Sequence, residues 1–251
     1  MTNAFIAVFN RRLATTRRPF LARGSAIKRC GHCMIAQTHC VCTWLKPFMG
    51  SSDHLSNDAM AVDLVLLMHS DEILKPTNTG RLAADAFPNN CWVFEWCRLE
   101  PSTELIALLE DPARQCVVVY PSTLTRPEYE PVAPLAMHAK RLTIILLDGT
   151  WRQAARMINH SQWLAHVPSL ALNIAAIEKG SNYAMRKATQ ATRLSTAEAA
   201  AIALDQVGQS KASHHLLQLF NVFNSHYHAT RACIKPTLTD AHAYLESLAD
   251  G

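Results

Sequence analysis

Residues 142–152 read Leu142-Thr-Ile-Ile-Leu-Leu147-Asp148-Gly149-Thr150-Trp151-Arg152. Ile144 to Leu147 are four consecutive apolar residues that run straight into a carboxylate. A short apolar run without polar alternation is the pattern of a strand covered on both faces, as in a parallel sheet. Gly149 permits a tight turn and close approach of a ligand. Thr150 is suited to cap a following helix by accepting from its first-turn amides. From Trp151 to Ile158 the periodicity is helical, with Trp151, Ala155 and Ile158 on one face. Arg152 and Arg156 are i,i+4 neighbours on another. A buried strand feeding a capped helix is the building unit of α/β folds.

The same alternation extends outward from this segment. Leu64 to His69, Cys91 to Phe94 and Cys116 to Tyr120 read as further buried strands, and Leu170 to Ile174 as a shorter one. Thr103 to Leu109 has helical periodicity. Ser195-Thr-Ala-Glu198 is a capping box, in which the serine oxygen accepts a first-turn amide and the glutamate reaches back. It opens a helix through about Val207. Leu216, Phe220, Phe223 and Tyr227 form one apolar stripe of a second C-terminal helix, a core face rather than a cofactor box. A last helix is expected from Asp240 to Leu248. The expected fold class is α/β, a mostly parallel sheet with flanking helices. The polar stretch from Gly50 to Asn57 reads as a linker.

In open α/β sheets ligands gather at the carboxyl ends of the strands. Three strand ends here lead into unusual polar sequence: His69-Ser-Asp-Glu72 running on to Asn78-Thr-Gly-Arg81, Tyr120-Pro121, and Asp148 to Arg152. The last offers a possible base, a helix N-terminus suited to an anion, an aromatic platform and a basic ridge. A reading without a ligand is also open: Asp148 and Thr150 cap the helix and Trp151 is core. No G-x-G-x-x-G, Walker loop, G-x-S-x-G elbow or H-E-x-x-H occurs.

Near the other end, Cys30, Cys33, Cys40 and Cys42 are spaced C-x2-C-x6-C-x-C. Two close pairs can place four thiolates around one tetrahedral ion, so they read as a structural zinc knuckle. His32 and His39 lie inside the cluster as possible replacements. A disulfide framework belongs to small secreted domains, and at 251 residues this chain is not one. A reducing, cytoplasmic setting is therefore expected. No run approaches the length of a membrane span.

The formal charge of +4 hides an asymmetry. Residues 1–29 hold seven of the 24 basic residues and no acid, which leaves 17 basic against 20 acidic over 30–251. Such a segment suits a flexible arm that meets phosphates, and its composition is also what organelle import uses. The expected organisation is a basic flexible arm over 1–29, a cysteine-rich segment over 30–49 and an α/β catalytic domain over 58–248.

Asp148-Gly149-Thr150-Trp151 resembles the D-x-T-W signature of the DTW-domain family. Three further elements stand in family order. They are the cysteines, His69 followed by Asn78-Thr79-Gly80-Arg81-Leu82, and Arg193-Leu194-Ser195-Thr196-Ala197-Glu198-Ala199. The resemblance implies a tRNA-uridine aminocarboxypropyltransferase. Such an enzyme moves the 3-amino-3-carboxypropyl group of S-adenosylmethionine to uridine N3 and releases methylthioadenosine. It also implies a SPOUT-like, knotted fold, which periodicity cannot show. On that reading Asp148 is the candidate general base, with Thr150 and Trp151 beside it. Tyr120, Pro121, Gly149, Arg193, Leu194, Ser195 and Thr196 are expected to seat the cofactor. Arg81, Arg152 and Arg156, with Arg186, Lys187 and the arm, are expected to meet tRNA phosphates. His69 and Glu72 either support the site or form a structural hydrogen bond. Rival readings are a SPOUT-like RNA methyltransferase and a non-catalytic, zinc-dependent RNA-binding module.

Overall fold

All five apolar runs enter one sheet in the computed structural model, which describes residues 3–16, 27–49, 60–121, 127–130, 140–173 and 194–248. The strands are β1 (Val62–Met68), β2 (Cys91–Glu95), β3 (Arg114–Val119), β4 (Arg141–Asp148) and β5 (Ser169–Leu170). They are all parallel, in the order β2-β1-β4-β3-β5. The central pair, β1 and β4, is apolar on both faces because both faces are covered. Leu64, Leu66, Ile144 and Leu146 belong to one core, and Val65, Leu67 and Ile145 to the other. The sequence Gly50 to Asn57, read as a linker, lies outside the described residues. So do parts of the connections after β3 and after β5. No helix among the described residues is long and apolar enough to cross a membrane.

The helices are α1 (Ala4–Thr15), α2 (Ser70–Ile73), α3 (Arg81–Ala86), α4 (Thr103–Glu110), α5 (Trp151–His160), α6 (Thr196–Gln206), α7 (Ser210–Ala232) and α8 (Asp240–Ser247). The alanine-rich α6 and the stripe of α7 join one core with α1 and α3, while Leu105 and Leu108 of α4 and Met157 of α5 join the other. The capping box of Ser195 with Glu198 forms, and the Thr150 cap proves to be a capping box as well, with Gln153. The buried face of α5 is displaced from the expected one: Ala154 and Met157 are buried, while Trp151 stands 58% exposed.

Part of the basic arm is not free. Residues 4–15 form α1, with Asn3 accepting from the amides of Phe5 and Ile6. Phe5 and Val8 are buried in the main core, and Arg12 pairs with Glu95 at 3.3 Å. The arginines drew attention to charge. The cue for a docked helix was the capping asparagine followed by apolar residues at 5, 8 and 9, spaced for one helix face. Residues 17–26 lie outside the described residues.

The amino-terminal edge of the sheet is held by one carboxylate. Asp63, 1% exposed, receives Arg141 Nε and Nη2 at 2.7 Å each, Arg114 Nη1 at 2.5 Å and Asn90 Nδ2 at 3.1 Å. Burial pushes its pKa up, but the hydrogen bonds from Arg141, Asn90 and Arg114 outweigh burial and hold it below the ordinary value. The resulting stabilisation is present above about pH 3.9 and is lost as pH falls toward the depressed folded value. Asp63→Asn leaves Arg141 without its counter-charge and Arg114 with Asp111 alone, and should cost about 3 kcal/mol, or roughly 6–12 °C in Tm. Thermal denaturation at pH 7 checks this, and the gap to wild type should narrow below pH 4. An unchanged Tm would show that the cluster carries no stability.

Candidate active site and metal centre

β1 and β4 are neighbours, and their register places Met68 opposite Asp148. Their carboxyl ends therefore meet, and the His69 amide donates to the Asp148 carbonyl at 2.9 Å. The Asp148 side chain is 4% exposed. Asn78 Nδ2 donates to its Oδ2 at 2.5 Å, and Thr196 Oγ1 donates to its Oδ1 at 2.5 Å. Burial pushes the Asp148 pKa above the ordinary carboxylate value, against the opposing pull of the Thr196 and Asn78 hydrogen bonds.

Three stretches far apart in the chain are fastened at this one group. Besides Asn78, the segment before α3 supplies Thr79, whose Oγ1 accepts from the Ala197 amide at 3.3 Å. Gly80 has an ordinary helical φ, so its need is space: a Cβ there would lie 2.8 Å from Asp148 Oδ2. Ser195 caps α6 and thereby fixes Thr196 beside the carboxylate.

The rim around this clamp is aromatic and basic. β3 ends next to β4, which brings Tyr120 and Pro121 beside the turn at Gly149. The rings of Tyr120 and Trp151 are 6.3 Å apart and edge-on. Arg152 and Arg156 are both exposed on α5. Thr150 caps α5, and its own amide donates to Gln153 Oε1 at 2.7 Å. The structure thus brings Asp148, Gly149, Thr150, Trp151, Tyr120, Pro121, Leu194, Ser195 and Thr196 to neighbouring strand and helix ends. Arg193, Arg186 and Lys187 lie outside the described residues.

Arg81 is a correction. It is 1% exposed, and its guanidinium donates to the carbonyls of Asn78 at 3.0 Å, Lys75 at 2.8 Å and His32 at 3.5 Å. It also lies 4.8 Å over the Phe5 ring. Burial lowers its pKa to about 10, and it stays charged at neutral pH. Arg81 therefore braces the Asn78 loop, the cysteine segment and α1 from inside and presents no charge to phosphate.

Two residues that the sequence reading did not single out complete the site. Gln153 links the Thr150 cap to His69, its Nε2 lying 3.3 Å from His69 Nδ1. Trp96 stacks on the His69 ring at 5.8 Å and donates to Ser161 Oγ at 2.8 Å. Glutamine at the third helical position is a capping cue, but nothing local points to His69 as its second partner. A cleft of about 490 Å³ between α1, β2 and α4 shares no lining residue with this site.

The cysteine segment passes a geometric test for zinc. All four Sγ atoms lie within 4.8 Å of one another. Cys30 and Cys42 are 3.6 Å apart, and Cys33 and Cys40 are 3.8 Å apart. Zinc–sulfur bonds of about 2.3 Å in a tetrahedron require sulfur–sulfur edges of about 3.8 Å. The histidines in the cluster are used elsewhere: His32 Nε2 lies 2.9 Å from Asp85, and His39 Nδ1 lies 3.1 Å from Thr230 Oγ1. Ile35 and Val41 are fully buried in the main core. His226, on α7, donates from Nδ1 to the His39 carbonyl at 2.8 Å. The knuckle is thus built into the domain.

A model of the DTW domain matches residues 27–228. The chain belongs to the DTW-domain family. The match starts before Cys30, so the knuckle lies within the DTW region. The three segments clamped at Asp148 are the D-x-T-W, N-T-G-R-L and S-T-x-E elements of the DTW sequence. No solved structure gives a significant match to the chain.

Proposed function

We propose that this DTW protein transfers the 3-amino-3-carboxypropyl group of S-adenosylmethionine to N3 of a tRNA uridine. Membership of the family is consistent with tRNA modification. The observation that carries the reading is the Asp148 clamp: a buried carboxylate with a raised pKa, held by Asn78 and Thr196 where two central parallel strands end.

S-adenosylmethionine supplies an electrophilic γ-carbon and a neutral thioether leaving group. Asp148 takes the proton from uridine N3, and burial makes it a stronger base than an ordinary aspartate. The new N3–C bond forms as the C–S bond breaks, and the bonding pair stays on sulfur. Thr196 and Asn78 keep the carboxylate in one orientation throughout. Trp151, 58% exposed, offers a ring face for a base, with Tyr120 edge-on beside it, since extruded bases are commonly held by stacking. Arg152 and Arg156 stand where phosphates of the same RNA would pass. The donor set at Cys30, Cys33, Cys40 and Cys42 suits a structural zinc with no open coordination position.

The test is nucleoside mass spectrometry of unmodified tRNA incubated with the protein and S-adenosylmethionine. A uridine carrying the aminocarboxypropyl mass, with methylthioadenosine released, is the expected result. A methyl-sized gain with S-adenosylhomocysteine would overturn the chemistry and keep the donor. No product across a full tRNA pool would overturn the reading.

A further inference from the structure

His69 stands beside Asp148 with one nitrogen occupied and the other without a partner among the described residues. Its Nδ1 accepts from the Asp71 amide at 3.3 Å, which caps α2, and from Gln153 Nε2 at 3.3 Å. The Asp71 carboxylate is also near Nδ1, at 3.5 Å. The backbone amide can only donate, and Gln153 Oε1 is committed to the Thr150 amide. Two donors facing Nδ1 leave the proton on Nε2. That Nε2–H has no hydrogen-bond partner among the described residues. The ring plane is set by stacking on Trp96. A Cβ on Gly149 would lie 3.6 Å from His69 Cβ, which sets the base of the His69 side chain against the Asp148–Gly149 turn. An imidazole with a fixed tautomer, held at Nδ1 and carrying its proton on Nε2, is a preorganised hydrogen-bond donor.

Resting on the transfer reading above, we propose that His69 is a further catalytic residue whose Nε2–H donates to a carbonyl oxygen of the target uracil. Loss of the N3 proton to Asp148 spreads negative charge onto O2 and O4. A donor aimed at one of them stabilises that charge as it develops.

Two substitutions separate this role from the helix cap. Asparagine reproduces the Nδ1 position and keeps the cap. Glutamine reproduces the Nε2 position and keeps the donor. His69→Asn should fold with an unchanged Tm and slow transfer by about 10²–10³-fold. His69→Gln should lose some Tm yet keep transfer within about tenfold of wild type. The His69→Asn deficit should also shrink on tRNA containing 5-fluorouridine, whose N3–H is more acidic and whose anion needs less help. The ¹⁵N shifts of the His69 ring in the wild-type protein should show the Nε2–H tautomer. Transfer at the wild-type rate by His69→Asn would overturn the proposal and leave the transfer reading intact. Equal deficits for both variants on both RNAs would overturn the proposal, because the donor restored by glutamine would then recover nothing. An inactive wild-type protein would bring down both readings together.

Discussion

Replacing Asp148 by asparagine is expected to slow aminocarboxypropyl transfer by about 10²–10⁴-fold while leaving the domain folded. The carboxylate accepts from two donors, Asn78 Nδ2 and Thr196 Oγ1. Asparagine can still accept from Asn78, and its own amide can donate to Thr196 if that hydroxyl turns. The clamp survives and the base does not. The stability effect has a definite sign. Burial raises the Asp148 pKa, so the folded state opposes ionisation of this group. At any pH above the ordinary aspartate value of about 3.9, the ionised form costs stability that asparagine does not. The variant should gain on wild type as pH rises from there toward the folded pKa, and the difference should then level off. Unfolding curves at pH 4 and pH 7, set beside product yields, check both halves. Near-normal turnover would remove Asp148 from the chemistry. A large fall in Tm would make it a structural clamp instead. Thr196→Val adds a separate control: it deletes a hydrogen bond that lowers the Asp148 pKa, so the acidic limb of the pH–rate profile should move upward.

Removal of zinc is expected to destabilise the whole domain rather than release a tail. Structural zinc sites contribute roughly 10–16 kcal/mol of apparent binding energy at neutral pH. Here the loop they close puts Ile35 and Val41 into the same core as β1 and β4. The loop is also tied to α7 through His226 and through the contact between His39 and Thr230. If only about 3 kcal/mol of the zinc energy is felt by the domain, Tm falls by about 6–12 °C. Elemental analysis should find one zinc per chain. Chelation, or Cys33→Ser, should lower Tm in a single cooperative transition. The loop also supplies the His32 carbonyl to Arg81, and Arg81 braces the Asn78 loop. Loss of metal should therefore weaken transfer even though no cysteine touches the site. A metal-free protein with unchanged Tm would refute the zinc assignment.

Arg81 and α1 both depart from what their charge suggests. Arg81 was assigned to phosphate because arginine is common at phosphate contacts. Whether an arginine faces solvent or a set of backbone carbonyls depends on what the fold puts opposite it. The arginines at 11 and 12 drew the reading toward a flexible arm, while Phe5 and Val8 bury one face of a helix. His69 was noticed, but which of its nitrogens is free depends on the Asp71 amide and on Gln153, 84 positions away.

The sequence by itself determined what is decided within a few residues. The five buried strands announce themselves by apolar runs, the start of α6 by a capping box and that of α5 by its capping threonine, and the four-cysteine cluster by its spacing. In each case the partners are neighbours along the chain, so periodicity or spacing carries the information. The tertiary structure alone decided that the D-x-T-W aspartate is the shared acceptor for two other segments. Asn78 and Thr196 lie 70 and 48 positions from Asp148. A hydrogen bond across that separation leaves no period in the sequence. It exists because insertion of β4 between β1 and β3 brings these strand and helix ends to one edge of the sheet.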